Sequence, residues 1–257
     1  MSILLQKLIF AQTLQMATNI TPYKDSNDSK KKQVATMFDA ISKNYDDLNR
    51  VISFGIDIKW RNKVVDIVSQ KKPTNILDVA TGTGDLAINL VNTGATEIIG
   101  LDISAGMLEV GQQKVTHEKL SSTIKMVLGD GEKIQYPDNY FDAVTVSFGV
   151  RNFENLEKGL AEILRVLKPK GTFVVLETSV PTKFPYKQGY NFHSKVILPL
   201  IGKLFSKDKD AYSYLSESAA AFPYGEAFNN IMSKVGFIDC KDYPQTLGVA
   251  TIYTASK

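Results

Sequence analysis

Residues 76–87 read ILDVATGTGDLA: an apolar run, then Gly82-Thr83-Gly84, then a helix opening near Asp85. An apolar run feeding a glycine turn predicts a buried strand that delivers its carboxyl end into a tight loop. The strand-then-helix pairing repeats downstream. With the first strand at Asn75–Ala80, further strand-like runs occupy Glu97–Asp102, Ile124–Leu128, Asp142–Val146 and Thr172–Glu177. Helical patterns fill 85–92, 104–117 and 155–167. In the last of these, Leu156, Leu160, Ile163, Leu164 and Leu167 share one face. Lys168-Pro169 is expected to stop that helix, and Gly171 to open the next strand. Such alternation predicts a mostly parallel sheet with helices on both faces.

Upstream, residues 22–33 read as a polar linker, with the Lys30–Lys32 run as a solvated helix start. A helix from Gln33 carries Val34, Met37, Phe38 and Ile41 on one face, and a second, Asp57 to Val68, carries Trp60, Val64, Val65 and Val68. Between Pro181 and about Tyr214 the alternation fails in a stretch rich in Lys, Tyr, Phe and Pro that includes VILPLIGKLF (196–205). It reads as an insertion after the fifth strand. A helix at Gly225–Val235 and short strands at Phe237–Tyr243 and Gly248–Thr254 complete a seven-stranded sheet. One domain, residues 23–257, is therefore expected, with 181–214 as its insertion and 1–22 as an extension.

Composition narrows the chemistry. The 257 residues carry a net charge of +3, with 44% hydrophobic and 22% charged residues, as an ordinary folded domain does. One cysteine, Cys240, makes no internal disulfide, and a reducing compartment is compatible with it. His117 and His193 are the only histidines and too far apart for a metal-binding pair, so no metal is expected. The charge is too dilute for a nucleic-acid partner. No apolar run reaches the roughly 20 residues that span a bilayer. The first 20 residues lack acidic side chains, and three readings stay open there: a floppy extension, an amphipathic surface helix, or a natural start at Met16.

Three carboxylates sharpen the glycine loop. Asp78 lies within the first strand, Asp102 ends the second and Asp130 follows the third, all toward the carboxyl edge where open α/β sheets bind ligands. A pyrophosphate would be repelled there, whereas S-adenosylmethionine carries an ammonium and a sulfonium. Asp102, about 20 residues past the loop, suits a ribose diol. Asp130 with the Gly131 backbone is expected at the adenine edge. Asp78 reads either as acting on the cofactor through the loop backbone or through water to the ammonium, or as a capping carboxylate that stiffens the loop.

Longer stretches now carry a resemblance. YDDLNRVISFGIDIKW (45–60), VSFGVRNFEN (146–155) and RVLKPKGTFVVLETS (165–179) are similar to signatures of the UbiE/MenG family of quinone-biosynthesis C-methyltransferases. The likeness runs from about Tyr23 to Lys257. It implies a Rossmann-like class I methyltransferase fold with N-terminal helices. It also implies methyl transfer from S-adenosylmethionine to a ring carbon of a polyprenylated quinol, demethylmenaquinol giving menaquinol. The benzoquinol precursor of ubiquinol, another phenol, or a non-catalytic scaffold role stay as alternatives. The family analogy assigns Gly82, Thr83, Gly84, Asp102, Asp130, Gly131 and Ser147 to the cofactor. Two positions depart from the family: Asp57 stands where a histidine is usual, and Lys170 where a glycine is frequent.

A hydroquinone carbon becomes nucleophilic only when a neighbouring hydroxyl loses its proton. Arg151, just past the fourth strand, is expected to hold the developing phenolate. Tyr45 is expected either to relay the proton or to pack the N-terminal helices. His193, in the insertion, is either a base or an exposed lid residue. A lipid-borne substrate also implies a cytoplasmic protein, peripheral at the inner face of a membrane, with the insertion as a lid or a lipid face. A homodimer is left open.

Overall fold

The computed structural model describes residues 20–192 and 209–257. His193, Met1, Met16 and VILPLIGKLF lie outside the described residues. Seven strands form one sheet: β1 (Asn75–Val79), β2 (Glu97–Asp102), β3 (Ile124–Leu128), β4 (Phe141–Ser147), β5 (Leu167–Thr178), β6 (Ile238–Gln245) and β7 (Ala250–Ser256). Their order is β3-β2-β1-β4-β5-β7-β6. Pairs among β1 to β5 are parallel, and β7 runs antiparallel to both β5 and β6. The turn at Thr246–Gly248 makes β6 and β7 a hairpin, which the short connection requires to be antiparallel. This is the Rossmann-like class I methyltransferase architecture.

The N-terminal helices are α1 (Lys30–Ile41), α2 (Tyr45–Ser53) and α3 (Ile56–Ser69). The crossover helices are α4 (Asp85–Leu90), α5 (Ala105–His117) and α6 (Leu156–Val166). Beyond β5 lie α7 (Tyr186–Phe192), α8 (Lys209–Ala221) and α9 (Glu226–Val235). Trp60, Val64 and Val68 of α3 pack with Leu86, Leu90, Ile98 and Ile252 on one sheet face. Leu156, Leu160 and Ile163 of α6 pack with Phe173, Phe228 and Tyr253 on the other. A third cluster joins Val34, Met37 and Ile41 of α1 to Met107 of α5 and Tyr214 of α8. Through it, α1 and α8 are held over the carboxyl edge of the sheet.

Two local expectations need correcting. The Lys30–Lys32 run is not a solvated helix start. Lys30 is buried, with its amine donating to the Arg151 carbonyl at 3.2 Å, and Lys31 pairs with Asp130 at 2.7 Å and Glu132 at 3.3 Å. Only Lys32 reaches solvent freely, beside Asp28. Pro169 does not separate helix from strand either. Helix α6 ends at Val166 and β5 begins at Leu167, because the excursion at 168–171 is a bulge opposite Phe141–Ala143. Lys170 sits in that bulge at φ +65°, a backbone region that favours the family's glycine.

Candidate active site

The order of the sheet reverses between β1 and β4, and open α/β sheets bind ligands at such switch points. After β1 the chain turns sharply, with Ala80, Gly82 and Gly84 all at positive φ. A Cβ on Gly82 would meet nothing within 4 Å, so its place in the turn is set by φ and not by crowding. Asp78 stiffens this turn from below. Its buried carboxylate accepts hydrogen bonds from the Thr81 and Thr145 hydroxyls, each at 2.6 Å. Burial pushes its carboxyl up to about 6, although both hydroxyls oppose the shift.

Asp102 at the end of β2 faces the loop. One carboxylate oxygen accepts the Gly82 N–H at 2.7 Å, the other the Ser104 N–H at 2.9 Å. Burial raises this carboxyl above its ordinary value, against the pull of those backbone donors. After β3, Asp130 accepts the Glu132 N–H at 2.8 Å and the Lys31 amine. Gly131 beside it is required by close approach: a Cβ there would stand 2.9 Å from Val79 and 3.1 Å from Phe153.

These groups border a cleft, open to solvent, at the carboxyl edge of the sheet. Gly82, Asp102, Asp130, Gly131, Ser147 and Tyr45 all line it, so six of the residues singled out in the sequence converge. Its roof is Val34 and Phe38 of α1, and its walls include Ile103, Met107 and Phe153. The cleft fits the cofactor implied by the sequence. It pairs carboxylates with apolar planes for a base, and Ser147 on its wall has a hydroxyl oxygen that is buried and without a partner among the described residues. No group of three or more His, Cys, Asp and Glu side chains poised for a metal occurs among the described residues.

Thr83 and Gly84 do not line the cleft. The Thr83 hydroxyl donates instead to Asp46 of α2 at 2.6 Å, and Lys114 of α5 reaches both. Asp57, which stands where the family has a histidine, is the second residue of α3. Its buried carboxylate gathers Arg50, Arg61 and the Ser53 hydroxyl. Arg151 adjoins the cleft through Asn152, which lines it, and is engaged by a partner that sequence reasoning missed: its Nη1 donates to Glu177 at the end of β5. Both side chains are buried. Glu177 sits inside the quoted 165–179 stretch, and a carboxylate at a fifth strand end was the available signal. Burial raises the Tyr45 phenol above its ordinary value, although Asn49 and Arg151 oppose the shift. His193 lies outside the described residues.

Known proteins resemble this chain over most of its length. A demethylmenaquinone methyltransferase of Bacteroides fragilis is 48% identical over 240 residues, covering 93% of this chain and 97% of its own. A ubiquinone/menaquinone biosynthesis C-methyltransferase UbiE of Geobacter sulfurreducens is 42% identical over 230 residues, 89% of this chain and 90% of its own. In fold alone, a SAM-dependent methyltransferase of Thermotoga maritima superposes with a TM-score of 0.60 at 17% identity, over 87% of this chain and 99% of that one. Residues 26–257 match the sequence profile of one family over nearly all of the chain described above, so the chain belongs to the ubiE/COQ5 methyltransferase family.

Proposed function

We propose that this chain transfers a methyl group from S-adenosylmethionine to a ring carbon of a polyprenylated quinol, demethylmenaquinol giving menaquinol. The observation that carries this reading is the 48% identity to a relative named demethylmenaquinone methyltransferase, across almost the whole of both chains. When bound, S-adenosylmethionine supplies an electrophilic methyl on a sulfonium. The chain's own residues do the rest. Asp102, whose oxygens each hold one backbone N–H, keeps lone pairs for the two ribose hydroxyls. Asp130 and Gly131 would border the adenine, and the apolar Ile103, Met107 and Phe153 of the same cleft would shield its faces from water. Ser147 and Tyr45 line the cleft with Asn152, whose neighbour Arg151 would hold the acceptor ring. Arg151 keeps its proton and serves as a hydrogen-bond donor to the acceptor oxygen, not as a base.

Because a polyprenyl tail resides in a bilayer, the same reading puts the protein at the inner membrane surface in the cytoplasm. The test of the activity is direct. Purified protein with S-adenosylmethionine and a short-chain demethylmenaquinol, kept reduced, is expected to yield the ring-methylated quinol by mass spectrometry. Cofactor binding by calorimetry without any product would overturn the naphthoquinol reading and leave another acceptor or the scaffold role.

A further inference from the structure

Three buried polar atoms near the carboxyl ends of β4 and β5 have no hydrogen-bond partner among the described residues: Ser147 Oγ, Arg151 Nε and Glu177 Oε2. They belong to one sector. Ser147 is in register with Leu176, the residue before Glu177, and Arg151 is bound to Glu177. The contact between guanidinium and carboxylate is one-sided. Every contact of Glu177 falls on Oε1, which accepts Arg151 Nη1, the Thr178 N–H at 2.8 Å and the Thr178 hydroxyl at 3.1 Å. An unpaired carboxylate oxygen on a fully buried side chain is costly, and native proteins keep such atoms rarely. Neither residue lines the cleft, but Asn152, next to Arg151, does, and a hydroxyl admitted past it would donate to Oε2 and accept from Nε.

We propose that Glu177 Oε2 accepts the proton of the acceptor's ring hydroxyl, directly or across one water, while Arg151 Nε donates to the oxygen left behind. The proposal rests on the quinol reading above. Other groups in this sector are committed elsewhere. Burial pushes the Tyr45 and Tyr214 phenols up, so neither ionises readily. Lys30, lowered to about 8 by burial, remains mostly cationic at neutral pH, and its amine donates to the Arg151 carbonyl. Both oxygens of Glu132 are taken, one by the Glu154 N–H and one by Lys31. Glu177 alone offers a buried, unclaimed carboxylate oxygen among the described residues.

The step balances without a further reagent. The hydroxyl O–H bond breaks, its proton goes to Oε2 and its electron pair moves into the ring. The ring carbon forms the new bond to the methyl carbon as the methyl–sulfur bond breaks and leaves its pair on sulfur. The same ring carbon then loses its hydrogen as a proton to water, and Glu177 returns its proton to the oxygen. One proton is released per turnover.

Glu177→Gln keeps an acceptor for Arg151 but loses the basic site. Its kcat on short-chain demethylmenaquinol is expected to fall about a hundredfold or more. Calorimetric affinity for S-adenosylmethionine should stay within about twofold, the scale of an unperturbed site. The diagnostic readout is a series of ring-substituted acceptors of rising hydroxyl acidity. The ratio of wild-type to variant kcat should shrink along the series, because an acceptor that ionises on its own needs no base. A constant ratio overturns the role of Glu177, as does a variant of normal turnover. Should the Gln variant not fold, Glu177→Asp with its shortened carboxylate is compared across the same series and judged by the same trend. A wild-type enzyme inactive on every quinol overturns the reading beneath the proposal instead.

Discussion

Asp78 is a carboxylate placed where water cannot reach it, held by two threonine hydroxyls and no cation within hydrogen-bonding distance among the described residues. Burial lifts its carboxyl from 3.8 to about 6. The folded state therefore binds this proton more tightly than the unfolded chain, and stability falls as pH rises from about 4 to about 6. Asp78→Asn keeps one acceptor oxygen and abolishes that titration. Relative to this variant, the wild type is expected to lose up to about 3 kcal/mol of unfolding free energy between pH 4 and pH 7, at about 1.4 kcal/mol per unit. Urea melts at both pH values check it, and parallel behaviour of the two proteins would refute it. Of the two sequence readings of Asp78, the stiffening of the loop is the one its contacts match. Residues at strand ends were legible because period and spacing set which edge they reach. Side-chain direction was not: Thr83 turns to a partner 37 residues upstream, and Arg151 to one 26 residues downstream.

Helix α2 brings Tyr45 to the cleft, yet its own contacts are mostly polar. Asp46 accepts from Thr83 and Lys114, and Arg50 reaches Asp57 and Asp85. Despite its burial, the Asp85 carboxyl is held below its ordinary value by Lys114, Arg61 and Arg50. The glycine loop and the helix that carries Tyr45 are thus fastened to one another through Thr83. Asp46→Asn weakens that fastening at a partly exposed site, a loss of about 1 kcal/mol. We expect a KM for S-adenosylmethionine raised about fivefold and a Tm lowered by about 2–4 °C. Unchanged values for both would mean that α2 is held by its apolar contacts alone. The helix from Asp57 and its stripe were readable from periodicity; the linkage was not, because ion pairs between elements leave no local period.

Across the molecule, the opposed charges of a nearly neutral chain are sorted. Carboxylates gather at the cofactor edge, and lysines recur through 181–214 beside apolar residues. No helix among the described residues is long and apolar enough to cross a membrane. As part of the proposed function, a protein at the membrane surface is expected to co-sediment with anionic vesicles, less so at high salt. Leu198→Ser with Leu200→Ser should weaken sedimentation further. Equal sedimentation of variant and wild type would leave the insertion a lid only. The strand runs 97–102 and 124–128 and the single-sheet architecture were legible in the sequence, because each carries its own apolar pattern. The order of the last two strands was not, since a hairpin's place in a sheet depends on partners far along the chain.

That hairpin orders events in time. Strand β6 is made before β7, yet it pairs with β7 alone, and β7 is the strand that meets β5. During synthesis the parallel half from β1 to β5 can assemble and shape the cofactor edge while β6 still has no neighbour to join. The molecule is therefore built so that its cofactor half can form early, and its closing strand slides in last between two that are already made.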